Sequence, residues 1–172
     1  MTLNNSGVET FILFKKLKYN QVLIMDIKSN EEISFQAYDG NDHYIYISYA
    51  HLDRNMVFPD IEMFHSKGYK IWYDQGIAQG FGNPEDMENA LSNSSLVVVF
   101  ISRNSVSSHN VLREIDLALT KKIPVLPIFL EETELPPNLM FSLGMARSVL
   151  KFVMSDEDYI EFCTSAFQDY GL

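Results

Sequence analysis

The sequence predicts an α/β fold built around a parallel β-sheet, and three observations lead to this prediction. The first is Leu96–Ile101, an uninterrupted and largely β-branched apolar run of the kind found in strands that helices cover on both faces. The second is that segments with strand composition alternate with amphipathic segments from about residue 41 onward. The third is the polar turn at residues 102–105, which leads from the apolar run into a helical segment, as in a βα unit.

Residues 1–40 are predicted to form an N-terminal extension, and residues 41–172 the main domain. Two strand-like segments of the extension, residues 21–27 and 33–38, flank a short polar turn and favour a β-hairpin. The turn-forming residues 39–42 then mark the predicted boundary.

The elements of the main domain begin and end at recognisable residues. Asp53 is expected to cap the first helix and Gly68 to end it, while Pro84 suits the first turn of the second helix. Ser107 or Ser108 can cap the third helix. The predicted strands span 43–48, 69–73, 96–101, 123–130 and 148–153, and the predicted helices span 53–67, 84–92, 107–122, 139–147 and 156–170.

Five strands that alternate with helices suit a flavodoxin-like, three-layer fold with strand order 2-1-3-4-5 and helices on both faces of the sheet. In this order the first and third strands are neighbours at the topological switch point. Their carboxyl ends lead into residues 48–51 and 102–105, so we expect the binding site in the crevice between these two segments.

The composition bounds the class of protein. With 47% hydrophobic residues the chain can build a core, and its net charge of −10 argues against a nucleic-acid or an anionic membrane surface. Cys163 is the single cysteine, so we expect no disulfide and interpret it as a core thiol. No secretory leader and no apolar stretch of membrane-spanning length is recognisable, and a cytoplasmic protein is expected.

Known cofactor motifs are incomplete in this sequence. Gly80-Phe81-Gly82 begins like a dinucleotide fingerprint, but Glu85 stands where the third glycine is required, and the loop follows the second strand instead of the first. No phosphate-cradling loop is present. The four histidines lack the spacing of a zinc site, and we predict no metal site and no bound cofactor; they are His43, His51, His65 and His109.

Glu114 stands out among the acidic residues of the predicted helices. Its neighbours at three and four residues are Asn110, Val111, Leu117 and Ala118, none of which is a cation that would pair with it on the helix surface. A glutamate among apolar residues near a cleft can have a raised pKa and a catalytic role, although a solvated surface acid is the commoner case.

Five sequence blocks together resemble the Toll/interleukin-receptor (TIR) domain family, particularly its bacterial members. The first, Tyr-Ile-Ser-Tyr-Ala-His-Leu-Asp, resembles the family's opening block, and the fourth resembles the helix that carries Ser-x-Trp-Cys-x-x-Glu. All five occur in the family's order and cover about residues 43–170. They lie at residues 46–53, 68–74, 94–102, 108–119 and 123–128.

The resemblance implies two possible functions. Some TIR domains are interaction modules, and others cleave NAD⁺ between nicotinamide and ribose to give ADP-ribose or a cyclic isomer. In the cleaving members the glutamate of the helix motif is the essential acid, and it matches Glu114. The chain departs from this motif at two positions, because Asn110 replaces the tryptophan and Val111 replaces the cysteine. Asn110 is included among the candidate substrate-binding residues.

For the NAD⁺-cleaving alternative we expect Glu114 to stabilise the developing ribose cation. Arg103 and the amides at the start of the third helix are candidates to hold the diphosphate, although Arg103 is equally well explained as a solvated cation. Asn104, Ser48 and Asp74 are candidates to orient the ribose and the carboxamide. Another aromatic residue would then have to stack on the substrate in place of the tryptophan, and the candidates are Phe81, Tyr49 and Trp72. For Trp72, core packing is the stronger interpretation.

The alternative function is a non-enzymatic TIR–TIR scaffold, in which the loop of residues 74–84 inserts into a neighbouring domain. Self-association through this loop, a downstream effector that senses the product, and a role in bacterial anti-phage immunity are further implications of the resemblance. A phospho-acceptor receiver domain of similar topology is disfavoured, because Asp74 and the end of the third strand do not supply the carboxylates that such chemistry needs.

Overall fold

The structure, a computed structural model, describes residues 33–74, 84–144 and 146–172. The first strand of the predicted hairpin, Phe81 and most of the loop of residues 74–84 lie outside this part of the chain. Residues 33–38 are described, and the predicted strand is not formed there. In this segment the Tyr38 amide donates a backbone hydrogen bond to the Ile71 carbonyl. Side chains also contact the segment; for example, the Tyr73 hydroxyl donates to the Phe35 carbonyl.

The described part of the chain alternates strands and helices from residue 45 onward. In chain order the elements are β1 (Ile45–Ser48), α1 (Arg54–Ser66), β2 (Ile71–Tyr73), α2 (Pro84–Asn93), β3 (Leu96–Ile101), α3 (His109–Lys121), β4 (Val125–Phe129), α4 (Pro137–Leu143), β5 (Val149–Leu150) and α5 (Asp156–Asp169). Three short 3₁₀ turns, at His51–Asp53, Ser105–Ser107 and Lys151–Val153, join some of them.

All five strands are parallel and lie in the order β2-β1-β3-β4-β5, which confirms the predicted flavodoxin-like topology. The central strand β3 is buried along its whole length. Because side chains alternate along a strand, β3 divides the core in two. Leu96, Val98 and Phe100 pack with α1 and α5, whereas Val97, Val99 and Ile101 pack with α2, α3 and α4.

Several strands are shorter than the sequence predicted. The largest difference is β5, predicted at 148–153, of which only Val149 and Leu150 pair with β4 before the chain enters the 3₁₀ turn Lys151–Val153. An apolar run indicates burial, but the end of a strand is set by where its partner stops. A sequence read without its partners therefore overestimates strand length.

The helix ends test three predicted signals. Gly68 has a φ of 93°, the left-handed conformation expected where it ends α1. The Ser108 hydroxyl accepts a bond from the Val111 amide at 3.4 Å and caps α3 as predicted. Asp53 does not cap α1. It lies in a 3₁₀ turn that continues directly into α1, and its buried carboxylate instead accepts bonds from Ser102 and Asn104.

Cys163 is fully buried among the core side chains packed under α5, which confirms its interpretation as a core thiol. Burial raises the pKa of this thiol to about 12, so it stays protonated and unreactive at neutral pH. Within residues 33–74, 84–144 and 146–172, none of the helices has the length and apolar character needed to cross a membrane.

Candidate active site

Glu114 lies on α3, where its carboxylate meets the end of β1. The Tyr46 hydroxyl donates to Oε1 of Glu114 at 3.0 Å, and the Ser48 hydroxyl donates to Oε2 at 2.5 Å. Tyr46 and Ser48 are two residues apart on β1 and therefore point to the same face of the sheet. The strand thus holds both carboxylate oxygens in a fixed orientation at the predicted switch point.

Glu114 is half-buried as a residue, and burial acts most strongly on its carboxyl group, which two hydroxyls contact. Burial raises the pKa of this carboxyl from 4.5 to about 7, and the bonds from Ser48 and Tyr46 oppose the rise. Among nearby charges, Asp74 raises the pKa further and His51 lowers it. Both protonation states of Glu114 are therefore populated near neutral pH, as for acids tuned for catalysis.

The carboxylate opens into a cavity of about 140 Å³. Ordinary ligand pockets hold roughly 300–1,000 Å³, so this cavity admits a group of about one ring and leaves the rest of a larger ligand outside. The residues that line it come from the ends of β1 and β2 and from α2 and α3; they are Ile47, Tyr49, His51, Asp74, Met87, Ser108, Asn110 and Glu114.

The structure brings most of the predicted site residues together. Glu114, Tyr49, Asp74 and Asn110 line the cavity, and Ser48 bonds directly to Glu114. The Tyr49 hydroxyl also donates to the Asp74 backbone carbonyl at 3.0 Å, which ties the end of β2 to that of β1. The grouping follows from the parallel topology, because the carboxyl ends of neighbouring strands share one edge of the sheet.

Arg103 and Asn104 lie apart from this cavity. The Asn104 amide donates to Oδ1 of Asp53 at 2.6 Å, so it holds the turn after β3 against the turn after β1. The Arg103 side chain is 79% exposed and lies 3.7 Å from a Glu131 carboxylate oxygen, as its interpretation as a solvated cation predicts. Their contacts with a substrate, and that of Phe81, stay predictions.

Sequence reasoning missed five residues of the site, and one of them, Ile47, is a β1 residue that also belongs to the core. His51 lies in the predicted crevice, and its position shortly after β1 could have identified it. Ser108 was identified as a cap but not as a cavity residue. Tyr46 precedes Ser48 by two positions, which signals a shared face. Met87 gives no local signal, because it reaches the cavity through the packing of α2.

Trp72 is half-buried and packs on the buried ring of Tyr46 at the margin of the core, in agreement with the packing interpretation. The two rings are stacked with centroids 4.6 Å apart and planes 10° apart. Because Tyr46 bonds Glu114, this stack positions the hydroxyl that the carboxylate accepts. Trp72 therefore supports the site from behind and is absent from the cavity lining.

Ser108→Ala is expected to lower the free energy of unfolding by about 1 kcal/mol, because α3 loses its N-cap. The measurement is chemical denaturation followed by circular dichroism. Ser155, which caps α5 by accepting from the Asp158 amide, is a matched comparison away from the cavity. A stability unchanged in Ser108→Ala would contradict a role for this serine as a cap.

Metal ligands are not clustered in the described part of the chain, where no three His, Cys, Asp or Glu side chains lie close enough to hold an ion. His51 and Asp74, 3.1 Å apart, contact each other instead. The Glu114 carboxylate suits an organic ligand with hydroxyl groups, because among the described residues only Tyr46 and Ser48 donate to it and two of its four acceptor positions remain.

The fold and the site define a flavodoxin-like α/β domain with an enclosed acidic side chain at its topological switch point. The family model for the TIR domain matches residues 45–166. The chain belongs to the TIR domain family.

Individual relatives are distant. The NAD(+) hydrolase TcpA of Theionarchaea archaeon (strain DG-70-1) is 29% identical over 108 residues, which cover 59% of this chain and 31% of that protein. The chain thus spans about a third of the length of this curated relative. Among solved structures, the TIR domain of the Toll-related receptor TRR-2 from Hydra magnipapillata superposes with a TM-score of 0.60 at 20% identity, covering 76% of this chain and all of that one. This likeness confirms the fold.

Proposed function

We propose that this protein cleaves NAD⁺ between nicotinamide and ribose, with Glu114 as the catalytic residue. The observation that carries the proposal is the enclosed Glu114 carboxylate, fixed by Tyr46 and Ser48 at the wall of a ring-sized cavity. Membership of the TIR family and similarity to an NAD(+) hydrolase support the choice of substrate.

This reaction requires stabilisation of a positive charge on the ribose more than it requires proton transfer. The bond between the pyridinium nitrogen and the ribose carbon breaks, and its electron pair stays with nicotinamide, which leaves as a neutral molecule. The ribose carbon becomes cationic until water, or another part of the same molecule, attacks it. An ionised carboxylate beside the sugar opposes this positive charge and can accept bonds from its hydroxyls.

The dimensions of the cavity suit one end of the substrate. A volume of about 140 Å³ can accommodate the nicotinamide ring, with the ribose at the cavity mouth and the rest of the dinucleotide outside. Tyr49 offers an aromatic ring and Asn110 an amide, which can bind the planar carboxamide. These roles are part of the proposal, as are those of Ser48 and Asp74 in orienting Glu114 and the ribose.

The test is product analysis. Purified protein is incubated with NAD⁺ at low and high protein concentration, and nicotinamide and ADP-ribose or its cyclic isomer are identified by mass spectrometry. Release of nicotinamide that Glu114→Gln abolishes supports the proposal. If the wild type releases none at any concentration, the enzymatic function is wrong and the TIR–TIR scaffold becomes the better explanation.

We also propose self-association as the context of the activity. The loop of residues 74–84 is the candidate contact, and a specific rate that rises with protein concentration would support it. A cytoplasmic role in bacterial anti-phage immunity, with an effector that senses the product, remains part of the same proposal and rests on family membership.

A further inference from the structure

The side chains of His51 and Asp74 contact each other at the mouth of the Glu114 cavity. Nε2 of His51 lies 3.1 Å from Oδ2 of Asp74, within hydrogen-bond distance, and both residues line the cavity with Glu114. The pair bridges two strand ends, because His51 follows β1 and Asp74 follows β2. The contact is therefore a product of the parallel topology and joins residues 23 positions apart.

The two partners differ in exposure. The His51 side chain is 54% exposed, whereas that of Asp74 is 16% exposed and has its backbone carbonyl bonded by Tyr49. Asp74 is therefore the more buried partner, and His51 lies on its solvent side. A polar contact this close to solvent adds little stability, so we look for its role in its effect on the neighbouring Glu114 carboxylate.

We propose that His51 and Asp74 are positioning residues of the site: His51 holds the Asp74 carboxylate at the cavity mouth and, when protonated, opposes its charge, so that Glu114 carries the negative charge a cationic substrate requires. This proposal rests on the proposed NAD⁺ cleavage for its purpose. Its electrostatic content concerns the folded protein alone and can be measured without turnover.

The physical argument is the competition between two carboxylates. The negative charge of Asp74, if His51 did not oppose it, would favour the protonated form of Glu114, which cannot oppose a ribose cation. A protonated His51 cancels that charge. The opposite directions in which Asp74 and His51 move the pKa of Glu114 agree with this arrangement.

Among the described residues, the other side chains that face Glu114 from β1 and α2 carry no charge near neutral pH. From β1 come the hydroxyls of Tyr46 and Ser48, which donate to the carboxylate, and the ring of Tyr49; burial raises the pKa of both tyrosines, which stay neutral. From α2 comes the apolar Met87.

On α3 the residue before Glu114 is Arg113, 62% exposed. Its guanidinium lies 3.7 Å from a carboxylate oxygen of Glu88 on α2, so its charge is already partnered.

The experiment measures the titration midpoint of the Glu114 carboxyl by carbon NMR, with the signal assigned by its loss in Glu114→Gln. His51→Gln is expected to raise the midpoint and Asp74→Asn to lower it, each by about 0.5 to 1 pH unit, because these partners lie near the solvent. His51→Lys, which keeps a positive charge, is expected to restore most of the wild-type value. The double variant His51→Gln, Asp74→Asn is expected to return close to wild type.

The proposal predicts that the two single variants shift the Glu114 midpoint in opposite directions, which a purely structural contact would not do. Unchanged midpoints, or shifts in the same direction, would overturn it. The acid limb of kcat/KM for nicotinamide release, measured in the same variants, should move with the midpoints. If the midpoints move as expected while the wild type releases no nicotinamide, the pair is supported and the proposed reaction fails. If the wild type is active and the midpoints do not move, the reaction stands and the role of the pair is wrong.

Discussion

Glu114→Gln is expected to reduce the rate of nicotinamide release from NAD⁺ by at least about 100-fold. The amide keeps the size and shape of the side chain, but it carries no charge to oppose a cationic ribose. Because Tyr46 and Ser48 both donate to the carboxylate, the amide also loses one of these two bonds. The measurement is the initial rate of nicotinamide formation at saturating NAD⁺, with substrate binding followed separately.

Glu161→Gln is the matched control, since Glu161 is an exposed glutamate on α5 and is absent from the cavity lining. It makes the same chemical change and is expected to leave the rate within about twofold, as for surface substitutions without special contacts. Wild-type turnover in Glu114→Gln would remove the basis for the proposed mechanism. A loss in both variants would indicate a general effect on the protein.

The same substitution is expected to change how stability depends on pH. A carboxyl whose pKa rises from 4.5 to about 7 on folding costs the folded protein about 3 kcal/mol once it is ionised in both states. The unfolded chain releases this proton first, so wild-type stability falls as the pH rises from 4.5 through 7. Below pH 4.5 the group is protonated in both states, and the cost is absent.

Glu114→Gln has no proton to release and should escape this loss. The difference in free energy of unfolding, variant minus wild type, is therefore expected to increase by about 3 kcal/mol between pH 4.5 and pH 8. Urea denaturation at several pH values gives this difference. Other shifted groups, such as the buried Asp60, whose pKa burial raises, titrate in both proteins and cancel. If the difference in free energy of unfolding does not change with pH, burial does not raise the pKa of the Glu114 carboxyl.

The predicted effects of Glu114→Gln on rate and on stability have the same physical origin. A carboxylate that opposes a cation well is one that water does not already solvate, and enclosing it costs stability when it ionises. Active sites commonly carry such a cost. In this protein the cost is moderated by two hydroxyl donors and by His51, and it is increased by Asp74.

Much of the fold was predictable because burial leaves a mark on composition. The run Leu96–Ile101 could be covered on both faces only in the middle of a sheet, and β3 has the predicted bounds. The two-residue strand β5 was less predictable, since its length depends on pairing with β4. The predicted cap at Asp53 was wrong for a different reason. Aspartate often caps helices, but here its carboxylate accepts hydrogen bonds from Ser102 and Asn104 in a buried network.

The site was predictable where a residue's position along the chain implied its place in the sheet. Ser48 ends β1, and Tyr49 and Asp74 directly follow β1 and β2, whose carboxyl ends share one edge of the sheet. Glu114 has no cation at helical spacing. Arg103 follows β3 in the same way, but its side chain extends into solvent near Glu131. Strand position brings a backbone to the crevice; the direction of a long side chain depends on contacts that no local pattern encodes.

The sequence by itself indicated the parallel sheet and its expected order through the periodicity of its apolar residues, and the resemblance of its motifs to the TIR family indicated Glu114 as the candidate acid. Only the tertiary structure decided that the Glu114 carboxyl is enclosed, that Tyr46 and Ser48 hold it, and that His51 pairs with Asp74 beside it. These are contacts between residues far apart in sequence. Their distances and the resulting pKa depend on how the elements pack, which is a property of the folded molecule as a whole.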